Sequence, residues 1–537
     1  MAARKPAPGW MAAALAVCWS VACGSTTTDG AAASTGTLDA GTGSGGGRSG
    51  GGGSGGGGSD GGALPAPVKH TITIEVRGQG AVRTVPGGEC RQICTVAVEE
   101  GATISFGAVP DTLQKFLGWT DACGGQGACA ARVDRDLHVV ATFAPQDFTV
   151  TIVFRGEGEG RIVSTPPGLD CKSSAAVCSA VFPATTEVML TATPDLLSKP
   201  APWDGDCRGP SCALRIAGDK VAVASFDLRR YAVVDLGTPA GGHFSAGTAI
   251  SHDGRFLAGN WAGETSHPFL WDGVMHDTGV TFETYVSGVS EAGAVGGSFF
   301  DKAKGAYQAF RWQRGVFQAL PTLGGGQSWV NGITPGGILL GWSTRPDWNS
   351  RAVYWEDKTP VELGALDGAI CSYAYGADRK GVIVGESCAP SGGTHAVLWW
   401  GPNRIQDLGT LGGTYGRAYA INDAGVIVGS AGKIAGEPRP MFLADGRMID
   451  VGLVRGKEYG QLTAVNQAGI AVGTCWSADN SAVHGVVAIS TRILDLNTRV
   501  GGTPYEIVGA SGIDDAGNIV GAGLYQGQWR ALILRPE

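Results

Sequence analysis

Thirteen cysteines, eight histidines and fifteen tryptophans are the residues here whose chemistry could do more than fill a core. Eight cysteines fall as close pairs: Cys90 with Cys94, Cys123 with Cys129, Cys171 with Cys178, and Cys207 with Cys212. Two pairs per segment suit two disulfides or one four-thiolate zinc site, and spacing alone does not separate them. Cys371 and Cys388 flank the turn Asp378-Arg379-Lys380-Gly381 at matching distances, which sets them opposite each other across a hairpin and predicts a further disulfide. Cys475 has no evident partner and is expected to be buried and free. His267, His395 and His484 occupy one repeated position that Gln308, Arg351, Arg439 and Arg530 fill elsewhere. A position shared by those types is met by a hydrogen-bonding side chain at a sheet edge, so no metal is expected there.

The carboxylates Asp253, Asp378, Asp423, Asp514 and Asp515 sit in turns but lack the alternating ladder of a calcium loop. They read as turn formers that bond their own backbone. Trp261, Trp342 and Trp476 share one face of a repeated strand with Phe300, and Trp329 and Trp348 lie in nearby loops. Aromatics at the mouth of a ring could stack on sugars, or could pack between sheets. Trp261, Trp342, Trp348 and Trp476 are therefore the candidate ligand-binding residues. Catalytic motifs are missing from any segment able to order: no HExxH, P-loop or dinucleotide fingerprint occurs. Two G-x-S-x-G matches, Gly52 to Gly56 and Gly57 to Gly61, lie in a glycine run with no strand and helix to form a nucleophile elbow. Asp347 and Glu356 are the nearest acidic pair in an irregular stretch, and nothing sets them at a useful separation. No catalytic residue and no cofactor is expected.

What must position these residues is a repeat. Its clearest copy is AYAINDAGVIVGS, Ala418 to Ser430, in which a small residue is followed by an apolar one, a short polar one and then a glycine. The small positions are Ala249, Gly288, Gly332, Gly376, Ala420, Ala464 and Gly512. The fixed glycines are Gly254, Gly293, Gly337, Gly381, Gly425, Gly469 and Gly517, spaced by 39, 44, 44, 44, 44 and 48 residues. That period signals a propeller or another stacked array. Each copy reads as four strands, with the glycine supplying the positive φ that returns the chain into register. The last copy lacks a fourth strand after Leu534, while a spare one, Tyr231 to Gly237, precedes the first. A seven-bladed β-propeller closed by its N-terminal strand, residues 229–537, accounts for both irregularities.

Ahead of the repeat lie two alternating, strand-like segments, residues 68–145 and 146–228. Thr71-Ile72-Thr73-Ile74 opens the first, Thr149-Val150-Thr151-Ile152 the second, and Trp119 with Trp203 and Phe143 with Phe226 keep them in step. The stretch GWTDACGGQGAC with the closing VVATF resembles the divergent internalin B-type repeat of bacterial surface proteins, which implies small all-β spacer or adhesion modules. LGTLGGTYGRAYAINDAGVIVGS, with HAVLW at His395, is similar to the bacterial extracellular repeat named HAF. That resemblance covers about residues 229–537 and implies an exported repeat protein; it brings no catalytic residues.

Residues 1–23 read as an export signal, with Arg4 and Lys5 before an apolar run from Trp10 to Ala22. Val21-Ala22-Cys23-Gly24 resembles a lipoprotein processing site, so Cys23 is the expected lipid-bearing residue, and Ser20 departs from the usual aliphatic residue there. Gly24, rather than Asp, goes with delivery to the outer membrane in the resembling class. An exported chain oxidises its thiols, which favours disulfides over zinc. Residues 24–67, nearly all Gly, Ser, Thr and Ala, cannot bury a core and read as a disordered tether. A net charge of -8 without a basic stripe points away from nucleic acid. The chain as a whole is thus expected to be all-β: a lipid-anchored surface protein whose propeller binds a glycan, cell-wall polymer or protein. The alternative is an extracytoplasmic glycan-cleaving enzyme with paired carboxylates in the propeller mouth.

Overall fold

The computed structural model describes residues 67–537 apart from 176, 391 and 434–436. The signal, the lipid site at Cys23 and the glycine-rich stretch lie outside the described residues. What is described is all-β, with two single 3-10 turns at Ser173–Ala175 and Leu496–Thr498.

Alternation decides the first two modules. In Lys69–Arg77 the isoleucines Ile72 and Ile74 are buried while the alternating Thr71 and Thr73 are more exposed, and Val150 and Ile152 repeat this in Asp147–Arg155. Each module stacks two antiparallel-rich sheets whose order recurs. Lys69–Arg77 runs parallel to Leu137–Pro145, and Asp147–Arg155 parallel to Lys220–Leu228. Trp119 and Phe143 fill one core, Trp203 and Phe226 the other. Gly80 and Gly160 are required by those cores: a Cβ there would lie 2.8 Å from the Phe143 ring and 2.4 Å from the Phe226 ring.

All eight cysteines of the modules are disulfide-bonded in the four local pairs. Cys90 and Cys94 lie on strands of different sheets, as do Cys171 and Cys178, so each bond pins the two layers together.

Seven four-stranded antiparallel sheets follow, one per sequence copy. Their first strands are Phe244–Ile250, Thr284–Val289, Ser328–Ile333, Ser372–Ala377, Gly416–Ile421, Tyr459–Val465 and Glu506–Ile513. Each first strand lies beside the first strand of the next sheet, and that of the seventh beside that of the first. The small positions follow from this proximity. A Cβ at Gly332 would sit 2.2 Å from the Tyr375 carbonyl oxygen, and one at Gly376 2.7 Å from that of Tyr419. The seven turn glycines all have positive φ, from 69° to 92°.

The short polar residue of the repeat performs one task in every copy. Its side-chain oxygen accepts a backbone N–H across the turn: Ser251 from Phe256, Ser290 from Ala294, Thr334 from Ile338, Asp378 from Val382, Asn422 from Val426, Asn466 from Ile470 and Asp514 from Asn518, at 2.7–3.1 Å. Asp423 and Asp515 depart from the expectation that turn carboxylates bond their own turn. Asp423 Oδ1 accepts the Arg379 N–H at 2.9 Å and Asp515 Oδ1 the Gln467 N–H at 3.0 Å, each in the preceding copy.

The seventh sheet is Glu506–Ile513, Ile519–Tyr525, Gln528–Pro536 and Tyr231–Asp235, the last pairing antiparallel with Gln528–Pro536 in the register Val233 to Leu534. The seventh and first sheets also meet directly, as the Ala531 N–H donates to Ser245 Oγ at 2.9 Å. Cys371 and Cys388 are bonded at the open end of the fourth sheet's first hairpin, and Cys475 is buried and unbonded.

The second module joins this array through two residues, Arg229 and Arg230. Leu197 of the module is 1% exposed in one cluster with Tyr231 and Leu496. Arg492 lies 3.6 Å from Glu159 and 3.5 Å from Asp195, and Arg499 3.8 Å from Glu157.

Candidate functional site

At Trp348, backbone conformation and exposure both run against ordinary packing. The Trp348 N–H donates to the Arg345 carbonyl at 2.9 Å, and the Arg345 N–H to that of Asn349 at 3.0 Å. Asp347 tightens the turn by accepting the Asn349 N–H at 3.0 Å and its Nδ2 at 2.9 Å. Trp348 is left at φ 67°. That left-handed conformation costs a non-glycine residue on the order of 1–3 kcal/mol, and such outliers gather at functional sites. The ring is 70% exposed, so most of its surface is presented to solvent. Arg345 holds the loop from below, with its guanidinium on both oxygens of Glu362 at 3.0 and 2.6 Å.

The indole borders a cleft of about 640 Å³ between the second and third sheets. Thr322, Gly325, Gly326 and Gln327 form one wall, Lys304 and Gln308 the other. A Cβ on Gly326 would lie 3.3 Å from the indole, so the bare backbone lets the ring come close. Gln308 is fixed, donating to the Gly326 carbonyl at 2.8 Å and accepting Lys304 Nζ at 3.4 Å. Tyr285, Phe300, Tyr307 and Trp329 of the same two sheets form a ring cluster of their own, with centroids 5.1–5.9 Å apart. Burial, and then the hydrogen bond to Glu283, push the Tyr285 hydroxyl well above its ordinary pKa.

The four candidate tryptophans are not brought together. Trp261 is stacked on His267 at 5.0 Å in the first sheet, Trp342 is edge-on to Tyr373 at 5.8 Å, and Trp476 packs against Tyr459 at 6.2 Å in the sixth. These three are half-buried packing residues; Trp348 alone of the four presents its ring. Gly325 and Gly326, which line the cleft, stand outside the repeat pattern. The glycine triplet between two strands was the available signal.

Two charged assemblies lie elsewhere in the array. Inside it, Glu386, 1% exposed, accepts Arg417 Nε at 2.5 Å and the Tyr375 hydroxyl at 2.6 Å. Burial, with the negative charge of Glu386 next, pushes the Tyr375 hydroxyl far up, so it remains a neutral donor. On the turn side, Arg379 of the fourth sheet reaches Glu291 of the second at 3.1 Å, Asp423 of the fifth at 3.2 Å and Asp515 of the seventh at 3.8 Å. His252 of the first sheet faces the same charges, and burial lowers its pKa against the pull of Asp515. Both assemblies pair their charges internally.

The repeated His/Arg/Gln position bonds within its own sheet or to the next loop. His395 meets Asp407 at 2.8 Å, His484 Asp495 at 2.7 Å, Arg439 Asp450 at 3.3 Å and His267 the Val280 carbonyl at 2.6 Å. Among the described residues no group of three or more His, Cys, Asp or Glu is disposed to hold a metal ion.

No family model and no curated protein matches this chain. Among solved structures it is similar to the β-propeller domain of the Trilobed protease from Pyrococcus furiosus, at 9% identity and TM-score 0.37, covering 55% of this chain and 97% of that one. It is also similar to the WD40 β-propeller domain of Doa1, at 14% identity and TM-score 0.31, covering 57% and 96%. A puromycin-hydrolysing peptidase from Mycobacterium tuberculosis matches at 14% identity and TM-score 0.32, covering 65% and 58%. Likenesses this weak carry no inference about activity.

Proposed function

We propose that the chain is an exported binding protein, carried on a lipid at Cys23 and a flexible tether, in which two spacer modules hold out a seven-bladed β-propeller closed by Tyr231–Asp235. The reading extends the HAF-type and internalin B-type resemblances to the whole chain. Three contacts support closure: the pairing of Tyr231–Asp235 with Gln528–Pro536, the Ala531 to Ser245 hydrogen bond, and the Arg379 links across the turn side. Five disulfides among the described residues fit an extracytoplasmic setting.

The observation that carries the binding role is Trp348, held at positive φ with its ring exposed over a polar cleft. A flat apolar platform beside amide and hydroxyl groups matches a pyranose, which has apolar C–H faces and a polar rim. The rival reading, glycan cleavage, needs two carboxylates facing one gap. Both oxygens of Asp347 hold Asn349, which lowers the Asp347 pKa through the backbone N–H first, so this carboxylate stays ionised and does not suit a proton donor.

The test is a glycan and cell-wall polymer array probed with the exported chain and with Trp348→Ala, followed by a hydrolysis assay on every polymer retained. Binding lost in the variant supports the cleft. Turnover of any retained polymer by the parent protein overturns the non-enzymatic reading.

A further inference from the structure

Resting on the glycan-binding reading of the Trp348 cleft, we infer that the sugar it takes is acidic, a hexuronate residue whose ring lies on the indole and whose carboxylate is met by Lys304. Of the residues lining the cleft, Lys304 is the single charged one; the rest are Gly, Ala, Pro, Thr, Gln and Trp. In a chain of net charge -8, that lone ammonium is an unusual lining for a cleft and gives it a preference of sign. The ammonium is ion-paired with Asp301 Oδ2 at 3.6 Å, but its side chain is 59% exposed, and a pair this exposed is weak enough for a ligand carboxylate to share the ammonium. Asp301 Oδ1 is engaged by the backbone N–H groups of Ala303 and Lys304 at 3.0 and 3.3 Å.

Lys304 and Trp348 are also coupled by a fixed path. Lys304 Nζ bonds Gln308 Oε1 at 3.4 Å, Gln308 Nε2 bonds the Gly326 carbonyl at 2.8 Å, and Gly326 lies against the indole. Gln308 is 2% exposed, so its amide oxygen is a fixed acceptor for the ammonium at the cleft. The Gln327 side-chain amide, which also lines the cleft, makes no hydrogen bond to another described residue and is free to meet ring hydroxyls.

The experiment titrates the exported chain, by calorimetry, with a hexuronate oligomer and with the same oligomer after its C6 carboxyls are reduced to alcohols. The acid form is expected to bind about threefold or more tightly at low salt, since a partly exposed ion pair is at stake. The difference should vanish in Lys304→Gln, a substitution on an exposed side chain that leaves folding intact, and should shrink in about 0.5 M salt, where the Debye length falls to about 4 Å. Trp348→Ala should lose both oligomers. Equal binding of the two forms by the parent protein overturns the acidic-sugar assignment while leaving the cleft reading in place. Failure of both forms to bind, with the protein folded by circular dichroism, removes the cleft reading as well. A poly-glutamate peptide that binds as tightly as the uronate, and loses binding in Trp348→Ala, would replace sugar by acidic peptide and refute the assignment.

Discussion

Replacing Trp348 by Asn separates a display residue from a packing residue, because two sizeable terms act in opposite directions. An L-residue in the left-handed region is disfavoured by about 1–2 kcal/mol, and Asn tolerates that region through its short polar side chain. The substitution relieves most of that cost at φ 67°. Against it stands the buried part of the indole. With 70% of Trp348 exposed, roughly 60 Å² is covered out of the ~200 Å² a tryptophan can bury, which at ~25 cal/mol per Å² is about 1.5 kcal/mol. The terms cancel to within about 1 kcal/mol, so the melting temperature should move by less than about 3 °C in a domain of this size. Trp399, fully buried, is the internal contrast. Trp399→Ala should cost about 3–5 kcal/mol through lost contacts and the cavity left behind. Differential scanning calorimetry of the exported chain and both variants, beside a binding assay, gives the answer. A Trp348→Asn melting point as low as that of Trp399→Ala would mean that Trp348 is there to pack, and the functional reading of its strain would be wrong.

Arg379→Ala should lower stability by about 1–2 kcal/mol at low ionic strength, as partly exposed pairs to Glu291, Asp423 and Asp515 are lost, each contributing about 0.2–1 kcal/mol. The deficit should shrink in 1 M salt, and a salt-independent deficit would show that the guanidinium acts by packing. Burial alone would raise the Asp423 carboxyl, yet hydrogen bonds from Arg379 hold it below the ordinary range. Its contribution is therefore present above the unfolded pKa and lost as pH falls through the folded one, and the variant should show a shallower acid limb of stability. Removing Tyr231–Asp235 should lower the melting temperature of the whole array, since Leu532 and Leu534 lose their partner strand; a truncated chain that melts unchanged contradicts closure. Burial pushes the Cys475 thiol up to about 11. It should stay inert to a thiol reagent at pH 8 in the folded protein and react within minutes in denaturant; fast labelling of the native chain would place it at an accessible edge.

The repeat was legible because its constraints are local and steric. A turn that must return within four residues demands Gly, and a strand lying against the backbone of the next demands Gly or Ala, so Gly254 or Gly332 announces itself in any copy. The cysteine pairs were legible for the same reason, with partners at sequence separations of 4 to 7 in the modules. The side-chain traffic between copies was not legible. Asp378 holds the short polar position, as Asn422 does one copy on, and closes its own turn, whereas Asp423 stands one residue later and serves the turn before it. Arg379 and Glu291 are 88 residues apart and meet because the array brings distant turns together. Trp342 and Trp348 carried the same interest in the sequence; only the left-handed turn at 345–348 tells the packed ring from the presented one.

The junction between the second module and the array also fixes how the molecule carries load. A pull arriving from the N-terminal side reaches the array at Tyr231, the first residue of the strand that zips onto Gln528–Pro536. Were Arg229 and Arg230 the sole link, that strand would take all the tension and peel away one hydrogen bond at a time. Leu197, buried beside Tyr231 and Leu496, and the Arg492 and Arg499 contacts to Glu159, Asp195 and Glu157 form a second route into the neighbouring sheet. Tension applied there would divide between the two routes, and Tyr231–Asp235 would be shielded until the module itself lets go.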